Sequence, residues 1–143
     1  MRTRLTFVQW GTWAIILTAA IVTLFALGSL WPVAVTGQSS ATWKEVFGAV
    51  LVLGWNVLPI VVMAVIAWTM SSRFWQAVGV LLGSLVVCGG GIFVQIDTYN
   101  STDGQSALTI LFLPLWQLVG CLVTVFIAAY LGLLDRRRGR GEQ

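Results

Sequence analysis

VFGAVLVLGWNVLPIVVMAVIAWTMSSRFWQAVGVLLGSLVVCGGGIFVQID, residues 46–97, decides the fold. It holds two apolar runs, 46–70 and 75–97, each longer than the roughly 20 residues a helix needs to cross the hydrocarbon core. The sole charge before Asp97 is Arg73, in the short connection Ser71-Ser72-Arg73. Lipid offers the backbone no hydrogen-bond partner, so a spanning segment is either a helix or one strand of a closed barrel. The alternating pattern of about ten residues that marks barrel strands is absent here. Both runs therefore read as helices.

Two further runs flank this pair, at 7–31 and 108–134. The reading is an all-α membrane protein: four transmembrane helices in an antiparallel bundle, forming one integral membrane domain over 1–143. Composition agrees. Apolar residues make up 58% of the chain and charged residues 9%, against about 25% charged in ordinary soluble domains, which excludes a soluble globular protein. Arg2 and Arg4 precede the first run as the basic region of a secretory signal would. That run exceeds the 7–15 residues of a signal core, so it is read as a retained anchor.

The 13 charges set the orientation. With the N-terminus inside, Arg2, Arg4, Arg73, Arg136, Arg137, Arg138 and Arg140 share the cytoplasmic side, and Lys44 alone lies outside. Cytoplasmic loops carry the excess of Lys and Arg, so both termini are expected in the cytoplasm. Glu45, Asp97 and Asp103 then fall outside, and Asp135 and Glu142 inside, so every charge sits at or beyond a helix end. Trp10, Trp13, Trp68 and Trp75 mark the inner interface, and Trp31 and Trp43 the outer one, where an amphipathic indole is at home. Trp55 and Trp116 do not fit either belt.

The connections follow. The inner turn at 71–74 is so short that the second and third spans must be neighbours. The outer loop at 32–45 ends in Thr42-Trp43-Lys44-Glu45, the spacing of a capping box, so the second helix is expected to begin there. The outer loop at 98–107 is polar and turn-rich, with Ser106 placed to cap the fourth helix. Gly-Gln-Ser occurs in both outer loops, at 37–39 and 104–106, and three residues are better explained by chance than by an internal duplication.

Small and polar residues indicate how the spans touch. Gly79, Gly83 and Gly90 fall on one face of the third helix, a surface for close helix packing. Ser84, Cys88, Gly91 and Gln95 form a second stripe. The fourth span offers Gln117, Gly120, Cys121, Thr124 and Ala128; the second offers Ala49, Asn56 and Met63; the first offers Thr12, Ala19, Thr23 and Ala26. Asn56 with Pro59, Gln117 with Pro114, and Gln95 share a level in the outer half of the bilayer. Proline removes a backbone donor and frees a carbonyl, so these residues suggest a small polar cavity lined by Asn56, Gln95 and Gln117. The plainer reading, preferred here, is interhelical glue worth about 0.6 to 2 kcal/mol per bond.

Absences narrow the function. Without histidine the chain cannot supply bis-histidine haem ligation or an ordinary zinc or di-iron site, so neither metal nor cofactor is expected. Cys88 and Cys121 are 33 residues apart, lack the C-x-x-C spacing of a thiol oxidoreductase, and read as small packing residues. Small multidrug exporters have a similar length and four helices, but use a membrane-embedded carboxylate that the first span lacks. Catalytic residues are not expected; an intramembrane enzyme would have only Asp97, Tyr99 and Asp103 to act with. Arg136, Arg137, Arg138 and Arg140 form a basic tail suited to anionic lipid head groups, and it lacks the interleaved aromatics of a nucleic-acid surface.

Ser106-Ala107-Leu108-Thr109-Ile110-Leu111-Phe112-Leu113-Pro114-Leu115-Trp116-Gln117 resembles a pattern of small uncharacterised bacterial four-helix inner-membrane proteins: a polar loop, Ser-Ala, an apolar stretch, then Phe-Leu-Pro before an aromatic. The resemblance implies a bacterial inner membrane and carries no activity with it. The Trp-rich and Gln-rich composition also suits a photosynthetic membrane such as a thylakoid. Two functions follow as expectations. The first is a structural, accessory or assembly subunit of a larger membrane complex, its partners the lipid bilayer and other membrane-protein subunits or further copies of itself. The alternative is a small channel or carrier for a neutral or weakly polar solute, using the level of Asn56, Gln95 and Gln117.

Overall fold

The computed structural model describes residues 2–36, 43–100 and 106–140. These are helical apart from a turn at 71–73. The elements are α1 (Arg2–Thr36), α2 (Trp43–Met70), α3 (Phe74–Ser84), α4 (Gly90–Asn100) and α5 (Ser106–Arg140), with one π-helical turn, Leu85–Gly89, joining α3 to α4. Four stretches are long and apolar enough to cross a membrane: Thr3–Ala26, Val50–Met70, Phe74–Asp97 and Leu111–Asp135.

Two helices outrun their expected ends. The span expected to stop at 31 continues through Pro32 to Thr36. A single proline costs one backbone bond and its fixed φ is helical, so a helix can carry it. The last helix runs through the basic segment to Arg140 instead of ending at 134. Arginine is a good helix former, and cations near a helix C-terminus complement its dipole. The Thr42 capping box lies outside the described residues, while α2 opens at the adjacent Trp43 and α5 opens at Ser106.

The core is a narrow seam. Thr12, Ile16, Ala19 and Thr23 of α1 recur at steps of four, three and four, which is the helical period, and all are buried. They meet Asn56, Met63 and Ala67 of α2, Val80, Ser84, Val87 and Cys88 of the third span, and Gln117, Cys121, Thr124 and Ala128 of α5, likewise buried. Phe25, Phe93, Trp116 and Phe126 point outward at 68% to 78% exposure, an arrangement suited to lipid rather than water.

The Ser71 turn joins α2 and α3, yet their mutual contact is narrow; α3 packs most broadly on α5, and α2 on α1 and α5. Glycine explains the α3–α5 preference. A methyl group on Gly83 would lie 2.8 Å from the Thr124 Cβ, so only hydrogen fits there, while one on Gly79 would be in ordinary contact with the Ala128 Cα at 3.5 Å and would press on the end of Leu131 at 3.0 Å. Further contacts pin the two ends. Gln9 Nε2 donates to the Ser71 carbonyl at 2.7 Å, tying the turn to α1, and Thr23 Oγ1 donates to Gln95 Oε1 at 3.1 Å, tying α1 to α4.

Candidate polar layer in the bundle core

Three irregular backbones lie in one region of the bundle. Pro59 interrupts α2, Pro114 interrupts α5, and the π turn interrupts the third span. Each irregularity disturbs the regular i to i−4 ladder. In lipid a stray carbonyl is costly, and neighbouring helices supply donors to it.

Side chains on facing helices donate to carbonyls beside these irregularities, though not to the carbonyl four residues before each proline, which is the one that proline frees. Trp55 Nε1 of α2 donates to the Leu111 carbonyl of α5 at 2.9 Å, within the turn that precedes Pro114. Gln117 Nε2 of α5 donates to the Val87 carbonyl in the π turn at 3.2 Å. Cys121 Sγ of α5 points at the Pro59 carbonyl of α2 at 3.7 Å and lies 3.8 Å from Met63 Sδ. Side chains of α2 and α5 thus reach carbonyls on facing helices, and the helices are locked together through their backbones.

Asn56, Gln95 and Gln117 each have a different partner. Asn56 Nδ2 donates to the Val52 carbonyl of its own helix at 2.9 Å. Gln95 accepts from Thr23 of α1. Gln117 turns to the π turn and covers Gly91, whose missing side chain leaves the room its amide occupies. One valence in the layer is open: Gln117 Oε1 is buried and has no hydrogen-bond partner. Its amide orientation is fixed, because exchanging N and O would set two oxygens against each other at the Val87 carbonyl.

The packing glycines divide. Gly79 and Gly83 face α5, but Gly90 is exposed and meets nothing; Gly91 is the buried one, against Gln117. The π turn accounts for this. It adds about one residue to the helical ladder, so everything beyond it rotates by about 100° relative to an unbroken α-helix. Gly120, on the stripe expected for the fourth span, closely approaches Val87, and Gly132 against Gln76 is a further close approach that sequence reading did not single out. Spacing offered a signal for both, since Gly120 and Gly132 lie at multiples of four from Thr124.

Cys88 and Cys121 are buried free thiols. Asp97 is exposed at the C-terminal end of the third span. Asp103 lies outside the described residues, as do the side chains of Tyr99, Arg136, Arg137, Arg138 and Arg140. Among the described residues no cluster of histidine, cysteine and carboxylate groups is arranged to hold a metal. The layer's chemistry is hydrogen bonding between amides, an indole, hydroxyls and backbone carbonyls.

No family model, no curated protein and no solved structure matches the chain.

Proposed function

We propose that this protein is a structural or assembly subunit of a larger membrane complex, held in a bacterial plasma membrane as an antiparallel four-helix bundle with both termini in the cytoplasm. The order of contacts supports the topology. From Gly79 to Gly83 to Gly91 on the third span, the facing residues of α5 descend from Ala128 to Thr124 to Gln117. Seven basic residues against one supports the orientation.

One observation carries the function. Asn56, Gln95 and Gln117 are each held by a separate partner within the bundle. The amides of Gln95 and Gln117 act as glue between helices while that of Asn56 is taken up by its own helix, so the three do not converge on one site. What the protein offers outward is aromatic surface, with Trp116 at 74% and Phe93 at 73% exposed, well suited to the helices or ring systems of neighbouring subunits. Extraction of native membranes in mild detergent followed by native electrophoresis tests this. Comigration with larger partners is expected, and a lone monomer or homodimer refutes it.

A second reading rests on Gln117 Oε1, a buried acceptor without a donor. It favours passage of a neutral solute that carries a hydroxyl or amide. Proteoliposome flux unchanged by Asn56→Leu and Gln117→Leu rules out that route.

A further inference from the structure

At the end of the bundle that carries the Ser71 turn, an open groove of about 360 Å³ runs between α1 and α3, lined by Thr3, Arg4, Phe7, Val8 and Phe74. Its walls are mostly apolar and its charged residue is Arg4. Phe74 is the first residue of α3 and is braced by an edge-to-face contact with Trp75, ring centroids 5.5 Å apart at 74°. At the same point α3 begins without a side-chain cap: Arg73 is extended and makes no capping bond, while the Ser72 hydroxyl is turned to Gln76 Oε1 at 3.3 Å. The first amides of a helix left this way present partial positive charge. Asp135 belongs to this end of the bundle by its place just beyond Gly132, which faces Gln76, but among the described residues no acid lines the groove.

We propose that this groove holds one anionic glycerophospholipid, its acyl chain against Phe7, Val8 and Phe74 and its phosphodiester against Arg4 and the uncapped start of α3. Charge complementarity selects the occupant. An apolar cleft with a guanidinium at its mouth fits an amphiphile that is apolar along its length and anionic at its end, and zwitterionic lipid brings a like charge to the same place. The proposal rests on the membrane-spanning reading and not on the accessory role, so a chain that migrates alone leaves it standing.

Native mass spectrometry of the purified full chain, equilibrated in detergent with equal amounts of phosphatidylglycerol and phosphatidylcholine, tests it. The wild type is expected to retain phosphatidylglycerol about fivefold over phosphatidylcholine, the preference that one basic residue near the surface provides. Arg4→Gln should bring that ratio near one and Arg4→Lys should keep most of it. Val8→Trp, which fills the groove, should lower the occupancy of both lipids, and Arg138→Gln should change neither. Arg4 is exposed, so Arg4→Gln should leave the helical circular dichroism intact. The proposal is overturned by an unchanged ratio in Arg4→Gln, by full occupancy in Val8→Trp, or by an equal loss in Arg138→Gln, which assigns the preference to the tail. Displacement of the lipid by glycerol 1-phosphate at matched concentration overturns it too, because the groove is then a free-anion site.

Discussion

Replacing Gly83 by alanine tests the packing of the third span on α5. The added Cβ would lie 2.8 Å from the Thr124 Cβ and overlap the Thr124 Cγ2 and Oγ1. Carbon atoms in contact sit about 3.5 to 4.0 Å apart, so the approach is too close by about 1 Å. A rotation of Thr124 about χ1 cannot relieve it, because the Cβ is fixed by the backbone and the hydroxyl is already bonded to the Gly120 carbonyl at 2.8 Å. The helices must separate instead. A gap of about 0.5 to 1 Å forfeits a quarter to a half of each dispersion well along the seam. Overpacking of this kind costs about 1 to 3 kcal/mol. Alanine returns about 0.5 to 1 kcal/mol over glycine within a helix, which leaves a net loss of about 0 to 2.5 kcal/mol, centred near 1. Gly90→Ala is the control: its Cβ would meet nothing within 4 Å, so only the gain applies. Unfolding in mixed micelles with increasing SDS, followed by tryptophan fluorescence, should place Gly83→Ala below the wild type and Gly90→Ala level with it or above. Thr124→Gly in the Gly83→Ala background moves the missing Cβ to the other helix and should show a coupling of about 1 kcal/mol or more. Equal stability of Gly83→Ala and Gly90→Ala, or a coupling near zero, would refute the reasoning.

Other expectations follow from the polar layer. Trp55→Phe removes the donor to the Leu111 carbonyl, with a loss of about 0.6 to 1.7 kcal/mol; a carbon-13 label at Leu111 should show its amide I band moving up in frequency, and a still band contradicts the bond. Gln117→Met keeps the volume over Gly91 but frees the Val87 carbonyl while removing the unpartnered Oε1, so the same micelle titration should show a change of less than about 1 kcal/mol. A loss above about 3 kcal/mol would mean that Oε1 has a partner. Cys88 and Cys121 are 1% and 2% exposed, so both should resist N-ethylmaleimide in native micelles and react once SDS unfolds the bundle; rapid native labelling of either thiol shows that the seam opens.

The parts of the fold legible in the sequence were those that depend on local length. Whether a stretch crosses a bilayer depends on a count of consecutive apolar residues, and all four spans were apparent from that count. The stripe of Thr12, Ala19 and Thr23 was also visible, because α1 has no interruption to alter its phase there. The ends were less legible. Helix propensity carries α5 through its arginines, where hydropathy places a boundary, and α1 continues past Pro32 although proline disfavours it.

Direction around a helix axis was the part that only the tertiary structure decided. Gly90 and Gly91 are adjacent in sequence, and which of them faces α5 depends on the phase of the helix beyond Leu85–Gly89. Spacing put Gly90 on the stripe of Gly79 and Gly83 and Gly91 on that of Ser84, Cys88 and Gln95, so it offered both for packing; the π turn, which shifts the phase by about a residue, is what turns Gly91 and not Gly90 to α5. The three amides show the same limit. Asn56, Gln95 and Gln117 share a depth in the sequence, but depth is only one coordinate; azimuth directs one to its own helix, one to α1 and one to the π turn. Trp55, which no interface belt explained, has its reason in the same place: a carbonyl on the facing helix near Pro114 takes its indole proton. A chain with 9% charged residues specifies helices that can cross a membrane, but the donors and acceptors that join those helices pair only after the helices have met.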